Sequence, residues 1–160
     1  MLIYCDTNVY ARPFDDQTSA AIQAEANAFL ELIDAVKTGK LHLLSSDILF
    51  FEVHHILNEE KRAKVIEYLK LCDRHIDNSL EILELGKQIE TLCHNRARDA
   101  LHLASAILGA ARYFLSCDRN VIMMPHAKCY RRLGKAHRQE YFSVMNPVRF
   151  VEKLKQGDLA

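Results

Sequence analysis

The hydrophobic residues of the chain fall into short continuous runs and longer periodic stretches. The runs cover residues 2–5, 41–46, 113–117 and 140–145. Each run is too short for a stable helix and lacks the strict polar alternation of a half-exposed strand. We therefore predict a short, buried strand at each of these four places.

Between these runs, apolar residues recur three or four positions apart, which predicts amphipathic helices. The first helix begins after Thr18 or Ser19 and ends near Gly39, with an apolar stripe of Ile22, Ala26, Phe29, Leu30, Ile33 and Val36. Further helices are predicted from Ser45 or Ser46 to about Leu57, over 58–72, 79–93 and 98–112, and from about Pro147. The helix at 98–112 is apolar nearly all round, which indicates a central position.

Buried strands separated by helices are typical of α/β proteins in which helices cover both faces of a mainly parallel sheet. The chain has 160 residues and no convincing linker, so we expect one domain spanning residues 1–160. Its 49% hydrophobic and 26% charged residues are those of an ordinary globular protein. No apolar run reaches the roughly 18 residues of a membrane helix, and the N-terminus lacks a signal-peptide pattern.

Charge and cysteine content narrow the picture slightly. The formal net charge is zero, from 21 basic and 21 acidic residues, so any nucleic acid would have to be bound through a local basic patch. The five cysteines are widely spread and contain no C-x-x-C, which favours a reducing, cytoplasmic compartment. Pairs such as Cys72-x-x-His75 and His126-x-x-Cys129 have only fragments of zinc-ligand spacing, so structural zinc is not favoured.

Most of the acidic residues, Glu25 among them, fit ordinary solvated helix faces, but four stand where a carboxylate is unexpected. Asp6 and Asp118 each end a predicted buried strand, and the carboxyl ends of parallel strands are where open α/β sheets bind ligands. Glu52 has mainly apolar neighbours one helical turn away, where an ionised carboxylate is costly unless it is paired. Asp99 opens the nearly all-apolar helix at 98–112 and should face inward.

Each of these acids also has an ordinary structural interpretation. Asp6 can cap a turn or helix, and Asp118 can begin the turn Asp-Arg-Asn. Glu52 can pair with a lysine or arginine. Asp99 can pair with Arg96 or Arg98, or interact with its helix terminus.

Taken together, the four acids favour a metal site. Crowded carboxylates repel one another, and one pKa rises sharply unless a cation neutralises them. Mg²⁺ and Mn²⁺ take oxygen ligands. One such ion activates water near neutral pH, and two ions about 4 Å apart can also stabilise both oxygens of a phosphodiester displacement.

The same residues resemble a known family, the PIN domains, which include the VapC-type toxins of bacterial and archaeal toxin–antitoxin pairs. The resemblance is carried by Asp6-Thr7-Asn8 after the first strand, Glu52 in the helix after the second, RDALHLASA at 98–106 and FLSCD at 114–118. The closing segment SVMNPVRFVEKL at 143–154 also looks like the end of such domains. Order and spacing make the match more specific than any single motif.

The resemblance implies a three-layer α/β/α sandwich around a parallel sheet and metal-dependent cleavage of RNA by an endoribonuclease. It implies that Asp6, Glu52, Asp99 and Asp118 are the catalytic, metal-binding acids, with Mg²⁺ or Mn²⁺ as cofactor. Thr7, Asn8 and Ser116 match polar positions that line or brace the pocket, although turn and cap roles fit them too. An antitoxin partner and a homodimer are also family expectations. The chain is long for a minimal toxin, around residues 59–78 and 119–140, which leaves toxin status open.

Basic residues supply candidate contacts to RNA. The acid-free segment 126–139 contains Lys128, Arg131, Arg132, Lys135 and Arg138, with Tyr130 as a possible stacking residue. Arg12 and Arg119 lie close in sequence to site acids and are candidate substrate clamps. A solvated surface explains all of these charges equally well.

Two other functions were weighed against the nuclease. A phosphohydrolase with Asp6 as nucleophile would need a second acid two positions on, where the chain has Asn8. No phosphate-binding glycine motif occurs among its five glycines. A non-catalytic PIN module that binds RNA, or one held silent by an antitoxin, stays open and would tolerate Asp6→Asn.

Overall fold

The computed structural model of the protein describes residues 1–137 and 141–159. The strands are β1 (Leu2–Cys5), β2 (His42–Ser46), β3 (Arg74–Ile76), β4 (Tyr113–Leu115) and β5 (Ser143–Met145). The helices are α1 (Thr7–Ala11), α2 (Ala20–Lys37), α3 (Asp47–His54), α4 (Glu59–Leu69), α5 (Leu80–Cys93), α6 (Ala97–Leu108), α7 (Arg119–Ile122), α8 (Met124–Ala136) and α9 (Pro147–Gln156), with a 3₁₀ turn at Arg12–Phe14.

The strands form one parallel sheet in the order β3-β2-β1-β4-β5, flanked by helices as predicted. β2 and β3 lie on one side of β1, and β4 and β5 lie on the other side. Right-handed crossovers therefore place α2 and α4 on one face and α5, α6 and α8 on the other. The order reverses between β1 and β4, which makes a crevice at their carboxyl ends.

The helix caps agree with the sequence. Ser19 caps α2 by accepting a hydrogen bond from the backbone N–H of Ile22, and Ser46 caps α3 by accepting from Leu49. The start of α3 is therefore fixed by the last residue of β2, and this places Glu52 just over one turn into the helix. The close approach of α6 to β2 requires Gly109, because a Cβ there would collide with the side chain of Leu44.

The sequence prediction missed one strand and misplaced parts of two helix stripes. β3 is a three-residue edge strand with two exposed residues, so it carries no apolar run. Leu30, predicted to be buried, is 44% exposed, and Leu92, an apolar residue of the predicted helix at 79–93, is 55% exposed. Leu32 and Cys93 are buried in their helices instead. Glu140, the first residue of the last predicted strand, lies outside the described residues.

A disulfide joins Cys93, the last residue of α5, to Cys129 on α8. This pairing could not be predicted from the sequence, because the two cysteines are 36 residues apart and belong to no recognisable motif. The other cysteines, Cys5, Cys72 and Cys117, are free. Within the described ranges, no helix is both long and apolar enough to cross a membrane.

Candidate metal and active site

The crevice between β1 and β4 begins with Asp6. Its backbone N–H donates to the carbonyl of Leu115 at 2.9 Å, which ties the end of β1 to the end of β4. The Asp6 carboxylate caps α1 by accepting from Thr7 N at 2.8 Å, so the predicted capping role is real. The side chain is nevertheless buried and lines a cleft, so Asp6 both caps α1 and belongs to the candidate site.

Ser116 and Asn8 brace Asp6 from the β4 side. The Ser116 hydroxyl donates to Asp6 Oδ2 at 2.9 Å, and Asn8 Nδ2 donates to Ser116 Oγ at 3.1 Å. Asn8 Oδ1 accepts from the backbone N–H of Cys117, and Ser116 Oγ accepts from that of Asp118. This network fixes the strand-end loop that carries Asp118, which itself caps α7.

Glu52 reaches the same place from α3. Its Oε1 accepts from the Thr7 hydroxyl at 2.7 Å and from His102 Nε2 at 2.5 Å, while Oε2 is 3.9 Å from a guanidinium nitrogen of Arg98. Burial raises the pKa of Glu52, but the hydrogen bond and charge of His102 and the bond from Thr7 outweigh it, so the net pKa is lowered. Glu52 is therefore ionised at neutral pH.

His102 belongs to this cluster but is not among the residues that the sequence predicts for the site. Its place one turn after Asp99 allows it to orient a carboxylate, although a packed core histidine is the more common role. It is buried, as expected, but it also bonds Glu52 and lies 3.9 Å from Asp6 Oδ1. A histidine on an otherwise apolar helix, one turn after an acid, was the available signal.

A buried hydrogen-bonded chain holds the His102 ring. The Tyr4 hydroxyl lies 2.6 Å from His102 Nδ1 and 2.6 Å from Ser46 Oγ. Burial lowers the pKa of His102, but the Glu52 hydrogen bond and the charges of Asp6, Glu52 and Asp99 outweigh it and raise the pKa overall. The ring is thus fixed in position with Nε2 directed at the carboxylates.

Asp99 lies between two clefts at the amino end of α6. One, of about 420 Å³, is also lined by Asp6 and Glu52; the other, of about 300 Å³, is also lined by Asp118. Desolvation and then the negative charges of Asp6 and Asp118 raise the pKa of Asp99 to about 6. Among the described residues, no lysine or arginine lies within 4 Å of its carboxylate. The arginine pairing considered for Asp99 is therefore wrong; Arg98 lies near Glu52 instead.

The structure thus brings the four predicted acids to adjoining clefts at one edge of the sheet. Asp6, Glu52 and His102 offer ligand atoms that all lie within 4.8 Å of one another. Burial raises the pKa of Asp6, and desolvation and then the neighbouring acidic charges raise that of Asp99, so a bound cation would stabilise both carboxylates as ions. The donor set is mainly carboxylate oxygen, which suits Mg²⁺ or Mn²⁺.

A second group of two acidic residues and one histidine lies outside these clefts. Asp47, His75 and Asp77 also place ligand atoms within 4.8 Å of one another, at the ends of β2 and β3. No cysteine belongs to either group among the described residues, and Cys93 and Cys129 are in a disulfide. The zinc-like spacings therefore do not come together.

The two arginines predicted to clamp RNA, Arg12 and Arg119, lie beside a cleft next to the acidic ones. Arg12 is engaged by Asp15 at 3.0 Å and by the buried Glu25 at 3.2 Å, so its charge is already neutralised and its proposed clamp role lacks support. Sequence reasoning wrongly placed Glu25 on a solvated face. Arg119 lines a neighbouring cleft with Arg12.

The basic segment largely forms α8. Its cations Lys128, Arg131, Arg132 and Lys135 are exposed. Tyr130 is fully buried and accepts a hydrogen bond from Asn95, so it cannot stack on a base as predicted. Arg138 lies outside the described residues. His126, near the start of α8, lines the cleft that holds Asp118, so this helix borders the site.

Comparison with solved structures places the fold. The chain matches the structure of VapBC2 from Rickettsia felis bound to a DNA fragment from their promoter, with a TM-score of 0.57 and 15% identity over 91% of this chain and 98% of the other. No family model and no curated protein matches the sequence. The structure therefore confirms the predicted α/β, PIN-like fold. At 15% identity, the likeness is evidence for the fold alone.

Proposed function

We propose that the protein is a divalent-metal-dependent endoribonuclease that hydrolyses phosphodiester bonds of RNA. The observation that carries the proposal is the convergence of Asp6, Glu52, Asp99 and Asp118 on adjoining clefts at the reversal of strand order. A non-catalytic module has no need to assemble four acids there, two of them with raised pKa values. The likeness to VapBC2 supports the fold on which such a site is built.

Each acid has a proposed role. A bound Mg²⁺ or Mn²⁺ would supply positive charge for the phosphate and make an attacking water more acidic. Asp6 and Asp118, at the two strand ends, are the proposed direct ligands. Glu52 and Asp99 complete the ligand set or orient the water.

The remaining residues prepare these carboxylates. Thr7 and His102 hold Glu52 Oε1, and Oε2 lies 3.9 Å from a guanidinium nitrogen of Arg98. Ser116 and Asn8 fix Asp6 and the loop of Asp118, so the ligands need little reorganisation when the ion binds.

The likeness to VapBC2 bound to a DNA fragment from their promoter supports a proposal about the biological setting. We propose that this chain is the toxin of a toxin–antitoxin pair, acts in the cytoplasm, and is silenced by an antitoxin partner. A homodimer is part of the proposal.

The test is cleavage of a labelled single-stranded RNA by the purified protein. We expect cleavage with Mn²⁺ or Mg²⁺, none with EDTA, and none by Asp6→Asn or Asp118→Asn. Asp34→Asn, an exposed acid of α2 that lies outside the clefts, is the matched control and should cleave normally. Equal cleavage by the wild type and both site variants would overturn the assignment.

A further inference from the structure

Two neighbouring phenylalanines of α3 are exposed. Phe50 and Phe51 are 36% and 47% accessible, on a helix whose Ile48, Leu49 and Val53 are buried. Large aromatic side chains are normally the most strongly buried part of a fold, so adjacent exposed rings on one helix deserve a physical explanation. The surroundings of the two rings differ.

Phe51 is part of an ordered aromatic and cationic surface. The ring of His55, one turn on, lies 4.1 Å from the Phe51 ring, centroid to centroid, and His55 Nδ1–H donates to the Phe51 carbonyl at 2.6 Å. The Arg98 guanidinium lies 5.8 Å from the Phe51 ring centre. We call Phe51, His55 and Arg98 the stacking platform.

The stacking platform borders the acidic cleft. Phe51 immediately precedes Glu52, and the Arg98 guanidinium that approaches Phe51 is also 3.9 Å from Glu52 Oε2. His55 and Arg98 line the same 420 Å³ cleft as Asp6 and Asp99. A polymer whose phosphate lies among the acids would therefore have its next group against this surface.

Aromatic and guanidinium planes are the groups on which unpaired nucleobases stack, and every base has a face to offer. A cation beside the ring also attracts the phosphate backbone, which an apolar peptide would not require. We propose that the platform stacks an unpaired base next to the phosphate held in the cleft. The inference rests on the proposed function.

Phe50 provides a matched control within the same helix. It has comparable exposure and its own histidine one turn on, His54, with ring centres 6.4 Å apart. Its closer aromatic neighbour is His75, at 4.8 Å, beside the second acid–histidine group. Neither phenylalanine lines the acidic cleft itself. The neighbours of Phe51, His55 and Arg98, do line it, whereas the histidines beside Phe50 do not.

The experiment measures binding apart from cleavage. The wild type, Phe51→Ala, Phe51→Tyr and Phe50→Ala are titrated into a fluorescein-labelled 12-nucleotide single-stranded RNA, with Ca²⁺ in place of Mg²⁺ to fill the site and suppress turnover. We expect Phe51→Ala to raise Kd about tenfold, Phe51→Tyr to restore it, and Phe50→Ala to leave it within about twofold. The same RNA in a duplex should be insensitive to Phe51→Ala, because its bases are already stacked.

A spectroscopic measurement reports stacking directly. A 2-aminopurine placed in the single strand should lose fluorescence on binding to the wild type and to Phe50→Ala, but not on binding to Phe51→Ala. Circular dichroism confirms that each variant is folded, so a lost signal cannot come from unfolding.

The outcomes separate this inference from the proposed function. RNA cleavage by the wild type, with equal Kd for wild type and Phe51→Ala, overturns the platform and leaves the nuclease standing. Binding that depends on Phe51, without cleavage in Mn²⁺, supports the platform and refutes the nuclease. If the wild type binds no RNA, or if Phe51→Ala only converts an oligomer into a monomer, the surface is not a base platform and the inference is wrong.

Discussion

Two groups of an identical kind lie at the same edge of this sheet, and α3 contributes an acid to both. Asp6, Glu52 and His102 form one group, and Asp47, His75 and Asp77 form the other. Their ligand atoms are equally close, within 4.8 Å. They differ in burial and in how their charges are satisfied.

The carboxylates of the outer group, which consists of Asp47, His75 and Asp77, are stabilised by ordinary contacts. Asp47 accepts from the backbone N–H of Asn78 at 2.7 Å and from His75 at 2.9 Å, and these bonds lower its pKa. Asp77 is 89% exposed. Water and the backbone stabilise these carboxylates as ions, so no cation is required.

The inner group, Asp6, Glu52 and His102, differs at Asp6, whereas the pKa of Glu52 is lowered as that of Asp47 is. Burial raises the pKa of Asp6, and the adjoining Asp99 has its pKa raised to about 6 by desolvation and by its acidic neighbours. His102 offsets part of this charge. Because the two groups share a spacing but differ in burial and charge, the proposed metal site rests on burial and a surplus of negative charge and not on spacing alone.

The largest expected difference is in catalysis, tested with two acids of the same helix. We expect Glu52→Gln to lower kcat/KM for RNA cleavage about 100-fold or more, because it removes charge and the hydrogen-bonding pattern at the cleft. Asp47→Asn should stay within about twofold. The measurement is initial cleavage rate with saturating Mn²⁺, and a comparable loss in both variants would mean that the two groups are not functionally distinct.

The acids that line the two clefts could be predicted from the sequence better than the residues around them. Asp6 and Asp118 were identifiable because a buried strand that ends in an acid is physically unusual, and Asp99 because its helix is otherwise apolar. Their proximity required only that β1 and β4 be neighbours, which parallel α/β topology favours. Local patterns were enough because each residue conflicts with its immediate context.

What the sequence missed depends on long-range contacts. β3 is too short and too exposed for a periodic signal. Glu25 looked solvated, but Arg12 and Asn146 reach it from distant segments. The disulfide between Cys93 and Cys129 and the Tyr4–His102 bond join residues whose distance only the folded chain determines.

The second prediction concerns stability and uses the two histidines. His102→Ala would leave a cavity and remove hydrogen bonds of Tyr4 and Glu52, so we expect a loss of about 2–4 kcal/mol in the free energy of unfolding. His75→Ala, at a partly exposed position, should cost less than about 1 kcal/mol. Urea unfolding followed by circular dichroism measures both. If His75→Ala were the more damaging change, the contrast in burial would be the wrong explanation.

The smallest expected effect is a pH dependence of opposite sign in the two groups. Asp99 has a pKa raised to about 6 in the folded protein, so its contribution to stability is fully present below its unfolded pKa, about 4, and is lost as pH rises through 6. Asp47 has a lowered pKa, so its contribution is present above about 4 and is lost as pH falls through its folded value.

Melting temperatures between pH 2 and 7, in EDTA, cover the range in which each carboxylate is protonated and test this sign. Relative to the wild type, Asp99→Asn should gain stability as pH rises, by on the order of 2 °C, since water in the open cleft screens the repulsion. Asp47→Asn should lose stability relative to the wild type over the same range. The raised pKa of His102 acts in the same direction as that of Asp99, so only the difference between the wild type and each variant isolates one carboxylate. Parallel changes in the two variants would show that Asp99 and Asp47 are equally hydrated. The distinction between a buried site with a raised carboxylate pKa and an exposed group with a lowered one would then be wrong.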